Sequence, residues 1–272
     1  MKSLEGRVAV ITGAGSGFGR ELAILCAKED MPVVLADVDV SGMEETLSLL
    51  APGSTSIAQR CDVSRASDVD ELADVAYRTF GECAVLFNNA GVGAAGPAWM
   101  ATLDDWKWII GVNLMGVVHG IRAFVPRMIE QGRECHVVNT ASAAGLVAPA
   151  GSSVYCASKF AVVGFTECLF HELRAEHPQI GVSLLCPAFV DTGISHSDRN
   201  RPQSLRDTNP QAEKYAAQLR RAIKSGKLTA ADIASTALDA VKQDRFYILP
   251  HGQIAESVAV RMKDIVDGRQ PT

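Results

Sequence analysis

The chain of 272 residues has no dense lysine or arginine cluster. The nearest approach is the sparse group Arg199, Arg201 and Arg206, and acidic residues outnumber basic ones 31 to 26, for a net charge of −5. A phosphate-neutralising patch is missing, so no nucleic-acid partner is expected. No C-x-x-C occurs among the seven cysteines (26, 61, 83, 135, 156, 168 and 186), whose number is odd and whose spacing is irregular. That argues against a disulfide framework and a zinc site, and for a reducing compartment. No H-x-x-x-H occurs either, and His171 and His177 lie six apart, a poor spacing for one metal on one helix face. No metal site is expected.

Targeting and membrane signals are missing as well. The apolar run 8–11 is too short for a signal peptide, and the stretch 109–121 is interrupted by Asn113 and His119. A soluble cytoplasmic protein with no membrane partner is the expectation. Charged residues make up 21% of the chain and hydrophobic residues 47%, a balance that excludes global disorder and allows a large core.

What is present is an alternation of short β-branched runs with longer helical ones. Strands are predicted at 7–12, 32–36, 56–60, 83–87, 136–140, 182–186 and 246–249. Helices are predicted at 17–29, 42–50, 66–80, 154–176, 211–224 and 230–243, with one long or two broken helices over 103–130. Continuous apolar strands separated by helices indicate an α/β fold, a doubly wound parallel sheet of about seven strands with helices on both faces. No linker or change of composition divides it, so residues 1–272 are expected to form one domain. Residues 193–210 break the rhythm: they are polar, carry Pro202 and Pro210, and have no period. Such a stretch reads as a lid, extending to about residue 228. Thr229 and Asp232 have the spacing of a helix capping box.

The first strand runs into Thr12-Gly-Ala-Gly-Ser-Gly-Phe-Gly19. Glycines at 13, 15, 17 and 19 let the backbone turn sharply and approach a ligand. The helix opening at Ser16, Gly17 and Phe18 would aim free N–H groups at a pyrophosphate. A glycine-rich turn alone is only a tight connection, but here a strand precedes it and a helix follows. Asp37 ends the second strand, where an acidic residue accepts hydrogen bonds from the adenosine ribose. Together these features predict dinucleotide binding. Farther on, Tyr155 and Lys159 are four apart on a predicted helix and share a face. Ser142 follows the carboxyl end of strand five, the side on which open α/β sheets bind ligands. A phenol with a pKa near 10 needs a neighbouring ammonium to act as a base, and Lys159 supplies one. Tyr155 could then exchange a proton with an alcohol while a hydride moves.

Taken together, Thr12-Gly-x-x-x-Gly-x-Gly19, Asp62-Val63, Asn88-Asn-Ala-Gly91, Asn113, Ser142 and Tyr155-x-x-x-Lys159 resemble the short-chain dehydrogenase/reductase family, in its compact single-domain branch. The resemblance implies a Rossmann-like fold and a catalytic tetrad of Asn113, Ser142, Tyr155 and Lys159. It implies that Lys159 also binds the nicotinamide ribose and that Asn113 holds a relay water. Asp62 and Val63 would meet the adenine, and Asn89, Ala90 and Gly91 would line the cofactor. Pro187, Val190 and Thr192 would hold the nicotinamide carboxamide. Ala188 departs from the glycine that often follows that proline. Relatives that use NADP tend to carry a base where this chain has Ser16 or Val38, so NAD is the expected cofactor. The expected reaction interconverts a secondary alcohol and a ketone. The pocket is expected from residues 93–96, 143–149 and 188–189, all small or apolar, for a neutral cyclic or aromatic substrate. Only the lid arginines 199, 201 and 206 could hold an anion. Excess apolar surface on helices 103–130 and 154–176 suggests a partner, and the resemblance implies a homotetramer or homodimer built on these helices. Two alternatives stay open: a non-catalytic NAD(H)-sensing module and an acyl-thioester ketoreductase.

Overall fold

The computed structural model describes residues 1, 3–207, 212–224 and 226–271. Residues 208–211 and 225 of the expected lid lie outside these. Seven strands form one all-parallel sheet in the order β3-β2-β1-β4-β5-β6-β7. They are β1 (Ala9–Thr12), β2 (Val33–Asp37), β3 (Ser56–Arg60), β4 (Val85–Asn88), β5 (Cys135–Thr140), β6 (Ile180–Leu185) and β7 (Tyr247–Ile248). The α/β expectation holds, with shifts of at most two residues at strand ends.

The alternation of side chains along β1 shows why both faces are covered. Ala9 and Ile11 pack with α1 (Gly17–Lys28) and α8 (Ala230–Gln243), while Val8 and Val10 pack with α3 (Ala66–Phe80), α5 (Gly116–Gln131) and α6 (Ser153–Glu176). A strand with apolar residues at every position has to be buried twice, and helices on both faces do this. The remaining helices are α2 (Val40–Leu49), α4 (Leu103–Ile110), α7 (Ala212–Lys224) and α9 (Gly252–Val266). The sequence reading missed α9. The capping box on α8 forms as expected: the Asp232 N–H donates to the Thr229 hydroxyl at 3.2 Å, and the Thr229 N–H donates to Asp232 at 2.8 Å.

The ambiguous stretch 103–130 is one continuous helix, Leu103–Gln131, in which α4 and α5 are joined by a π turn, Gly111–Met115. By length and composition this helix and α6 could each cross a membrane, contrary to the sequence reading. Each has a face buried in the sheet packing, as core helices do. π turns are local insertions that interrupt the regular ladder and occur often at functional sites. This one carries Asn113. The sheet reverses its winding between β1 and β4, so the crevice of an open α/β sheet falls at their carboxyl ends.

Candidate active site

A cavity of about 1080 Å³ opens at those carboxyl ends. All expected cofactor residues line it except Gly19, and all four expected catalytic residues except Asn113. These two sit behind the wall and shape it. Gly13 has φ +70°, and a Cβ there would lie 2.8 Å from Cα of Ala90. A Cβ on Gly19 would lie 2.1 Å from the Gly13 carbonyl oxygen. The turn is therefore knotted so tightly that only glycine fits, which brings the backbone to the cavity floor. Thr12 ties the turn to the next segment: its hydroxyl accepts the N–H of Asn89 at 2.9 Å and of Ala90 at 3.1 Å. The Asn89 amide donates to the Thr12 carbonyl at 3.0 Å, and its Oδ1 is buried without a hydrogen-bond partner.

Asp37 is oriented before any ligand reaches it. Its Oδ2 accepts the Gly15 N–H at 2.9 Å and its Oδ1 the Asp39 N–H at 3.0 Å. Each carboxylate oxygen keeps accepting capacity for a hydroxyl. Ser16 caps α1 in extended geometry without a side-chain cap bond, so the first-turn N–H groups remain free for an anion. Asp62 is held by Ser64, whose hydroxyl donates at 2.7 Å, and Val63 packs where a Cβ on Gly116 would be 2.8 Å away. This cradle fits a dinucleotide: a glycine floor, a helix N-terminus and a fixed carboxylate.

Across the cavity, Tyr155 shares a hydrogen bond with Ser142. Lys159 is buried, donates to the Thr140 carbonyl at 2.9 Å, and lies 5.9 Å from the Tyr155 ring centre. A Cβ on Gly91 would touch Asn113 Oδ1 at 3.5 Å and Lys159 Nζ at 3.6 Å, so both groups converge on that glycine. The Asn113 amide donates to the Val92 carbonyl at 3.0 Å and to Ser158 at 3.1 Å, and its Oδ1 accepts the Val92 N–H at 2.8 Å. Burial pushes Tyr155 up to about 12, opposed by its bond to Ser142, and pushes Lys159 down to about 8. The sequence argument had the ammonium pulling Tyr155 toward the phenolate. Desolvation acts against such a pull and favours the phenol.

The segment after β6 closes over both halves. Thr192 packs where a Cβ on Gly17 would meet it at 3.2 Å, and the Gly93 N–H donates to the buried Ser197 hydroxyl at 3.1 Å. Among the described non-glycine residues only Asp30 and Asp244 have positive φ, so Ala188 sits in ordinary backbone and its N–H donates to His251 at 3.2 Å. The lid arginines divide. Arg201 is buried, paired with Asp105 at 2.7 Å and placed 5.1 Å from the Trp108 ring centre. Arg199 donates to the carbonyls of Gly193 and His196. Arg206 is exposed and does not line the cavity, so it drops out as an anion clamp. The expected pocket segments do meet here, through Gly93, Ala143, Val147, Pro149 and Phe189 among others. Sequence reasoning missed Trp108 and the α9 residues Ile254, Ser257 and Arg261, which also line the cavity.

Comparison with known proteins agrees with this geometry. The family described as short chain dehydrogenase matches residues 7–203. A "CLA biosynthesis dehydrogenase/reductase" of Lactiplantibacillus plantarum is 34% identical over all of this chain and 97% of that protein. A "C alpha-dehydrogenase" of a Sphingobium species is 31% identical over all of this chain and 89% of that protein. A crystal structure of a short chain dehydrogenase/reductase from Burkholderia phymatum in complex with NAD superposes with a TM-score of 0.97 at 48% identity, covering 100% of this chain and 98% of the other. The knotted glycine turn, the parallel sheet and the Tyr155–Lys159 face thus have one common explanation: this chain belongs to the short-chain dehydrogenase family of oxidoreductases.

Proposed function

We propose that this protein is an NAD-dependent oxidoreductase that interconverts a secondary alcohol and a ketone, with Tyr155 as acid and base. The observation that carries the reading is the cavity itself. One wall presents the Tyr155 hydroxyl bonded to Ser142, with Lys159 beside it, and the other presents the glycine cradle and Asp37. The dehydrogenase relatives and the NAD complex of the similar structure support it. The whole chain acts as one catalytic domain, with residues 193–228 as substrate lid. The test is absorbance of NADH with a panel of ketones and secondary alcohols; NAD binding without any turnover would favour a sensing module instead.

When bound, NAD supplies a hydride acceptor and NADH a hydride donor. In oxidation, Tyr155 takes the hydroxyl proton while the carbinol carbon loses its hydride, and Ser142 holds the substrate oxygen. In reduction, the Tyr155 phenol donates that proton back. Lys159 holds the nicotinamide ribose and passes protons onward. The side chain of Asn113 is occupied by Val92 and Ser158, so its part in a relay falls to backbone groups of the π turn. Asp62, Val63, Asn89, Ala90 and Gly91 would line the cofactor, and Pro187, Val190 and Thr192 would hold its nicotinamide. The substrate is neutral and largely apolar, cyclic or aromatic near the reacting carbon, because the segments 93–96, 143–149 and 188–189 carry no charge.

Asp37 sets cofactor choice. Its two oxygens accept the ribose hydroxyls and repel a 2′-phosphate. The wild type will show higher kcat/KM with NAD than with NADP, and Asp37→Ala will narrow that gap. Equal efficiency with both cofactors in the wild type would refute the assignment.

The protein acts in the cytoplasm as a homotetramer or homodimer, without nucleic-acid or membrane partners. Leu103, Trp106 and Met115 are exposed on the long helix, and the outer stripe of α6 is formed by small residues including Ala157 and Gly164. Such a surface packs closely against another copy. Light scattering at micromolar concentration should give a multiple of 28.9 kDa; a mass at the monomer value contradicts the assembly.

A further inference from the structure

The cavity does not end at Tyr155. Its lining continues along two helices far apart in sequence, called the trough below. From α7 come Ala212, Ala216 and Ile223, and from α9 come Ile254, Ser257 and Ile265. The spacings i, i+4, i+11 and i, i+3, i+11 each place three residues on one helix face. The α9 stripe is not covered by the chain's own core. Asp264 is the one buried residue of α9, while Val260, which also faces the cavity, is 49% exposed and Ile265 56%. Apolar side chains left half open along a cavity mark a binding surface.

Most charges along the trough have a partner, and Glu256 is exposed. Arg220 pairs with Glu213, Arg269 pairs with Asp264 at 3.1 Å, and Arg261 lies 4.9 Å from the Phe160 ring centre. The remaining surface is small or hydrocarbon, and Ala212, Ala216 and Ser257 leave it wide. An occupant that fits this lining is apolar along most of its length and continuous with the reacting centre.

From this we infer that the substrate carries an extended hydrocarbon tail, which leaves the carbon at Tyr155 and lies between α7 and α9. The inference deepens, and rests on, the alcohol/ketone reading. It makes α9, as well as the lid, a determinant of specificity. Residues there should discriminate by tail length and leave the chemistry at Tyr155 to the groups already described.

The experiment measures kcat/KM by NADH absorbance for a homologous series of aryl secondary alcohols bearing linear tails, short to long, with wild type, Ala216→Trp and Ser257→Trp. Full burial of one methylene corresponds to about fourfold. In the wild type kcat/KM should climb with each carbon at a rate approaching that value and then level off. An indole that displaces two or more methylenes should lower the long-to-short ratio by about tenfold or more. Ser257 is exposed on α9, so its variant tests the trough even if Ala216→Trp disturbs the lid. A flat length profile in the wild type overturns the inference. So does a ratio unmoved by Ser257→Trp, and if that variant instead alters the mass by light scattering, a second copy of the chain covers α9. Failure of every alcohol to reduce NAD removes the alcohol/ketone reading and this inference with it, a result distinct from a flat profile.

Discussion

Replacing Tyr155 with Phe lowers turnover by ~10²–10⁴-fold, the usual contribution of a general acid–base group, while NAD binding and thermal stability stay near wild type. Only the hydroxyl is removed, and its partner Ser142 retains a contact with the Ala144 N–H at 3.1 Å. The pH dependence sharpens the test. Burial places Tyr155 at about 12, so near pH 7 the phenol dominates. Reduction uses that form and should be nearly level with pH until Lys159, at about 8, loses its proton. Oxidation needs the phenolate, whose fraction rises with pH, so its rate should climb over the same range. The Phe variant should lose both the rate and the pH-dependent rise of oxidation. More than a tenth of wild-type activity in that variant would mean that another group is the base.

Arg201→Ala should open the lid. Its guanidinium is 4% exposed and bonds Asp105 at 2.7 Å, Asp207 through its carbonyl at 3.0 Å, and the Leu205 carbonyl. Asp105 also belongs to the capping box of α4, where its carboxylate accepts the Thr102 N–H at 3.0 Å. Removing the arginine leaves that carboxylate buried with one partner fewer, at a cost of about 3–5 kcal/mol for broken buried pairs. The lid is the segment most able to relieve it by moving away. Limited proteolysis should then cut within residues 193–207, and KM for the alcohol should rise far more than KM for NAD. Arg206→Ala is the control, since that side chain is exposed and outside the cavity. If the two variants behave alike, the buried pair does not hold the lid.

The fold was largely readable because its signals are local. Apolar strands with Val33-Val-Leu-Ala36 as an example, glycine turns and the Thr229–Asp232 cap each depend on a few adjacent residues. The candidate site was readable where spacing carries meaning, as with Tyr155 and Lys159 on one helix face. What stayed hidden depends on distance or environment. The helix α9 has only Asp264 buried and covers no core of the chain, so the alternation of strands and core helices does not reveal it. Arg201 and Arg206 are five apart with the same side chain, yet one is buried against Asp105 and the other is in water. Nothing in the sequence separates them, because the partner lies 96 residues away. The desolvation of Tyr155 was hidden for a related reason: charge can be read from residue types, whereas desolvation depends on the folded surroundings.

The π turn at Gly111–Met115 turns the length of this helix into a setting. Each residue of an α-helix advances the chain by about 100°. Deleting a single residue from the turn would restore a regular helix and rotate α4 by about that angle against α5. Trp108 would then swing away from the cavity and Asp105 from Arg201, although no side chain had been altered. Substitution scans, which keep the residue count constant, would miss this constraint, and only an insertion–deletion scan would expose it. At this point in the chain the number of residues carries as much information as their identity.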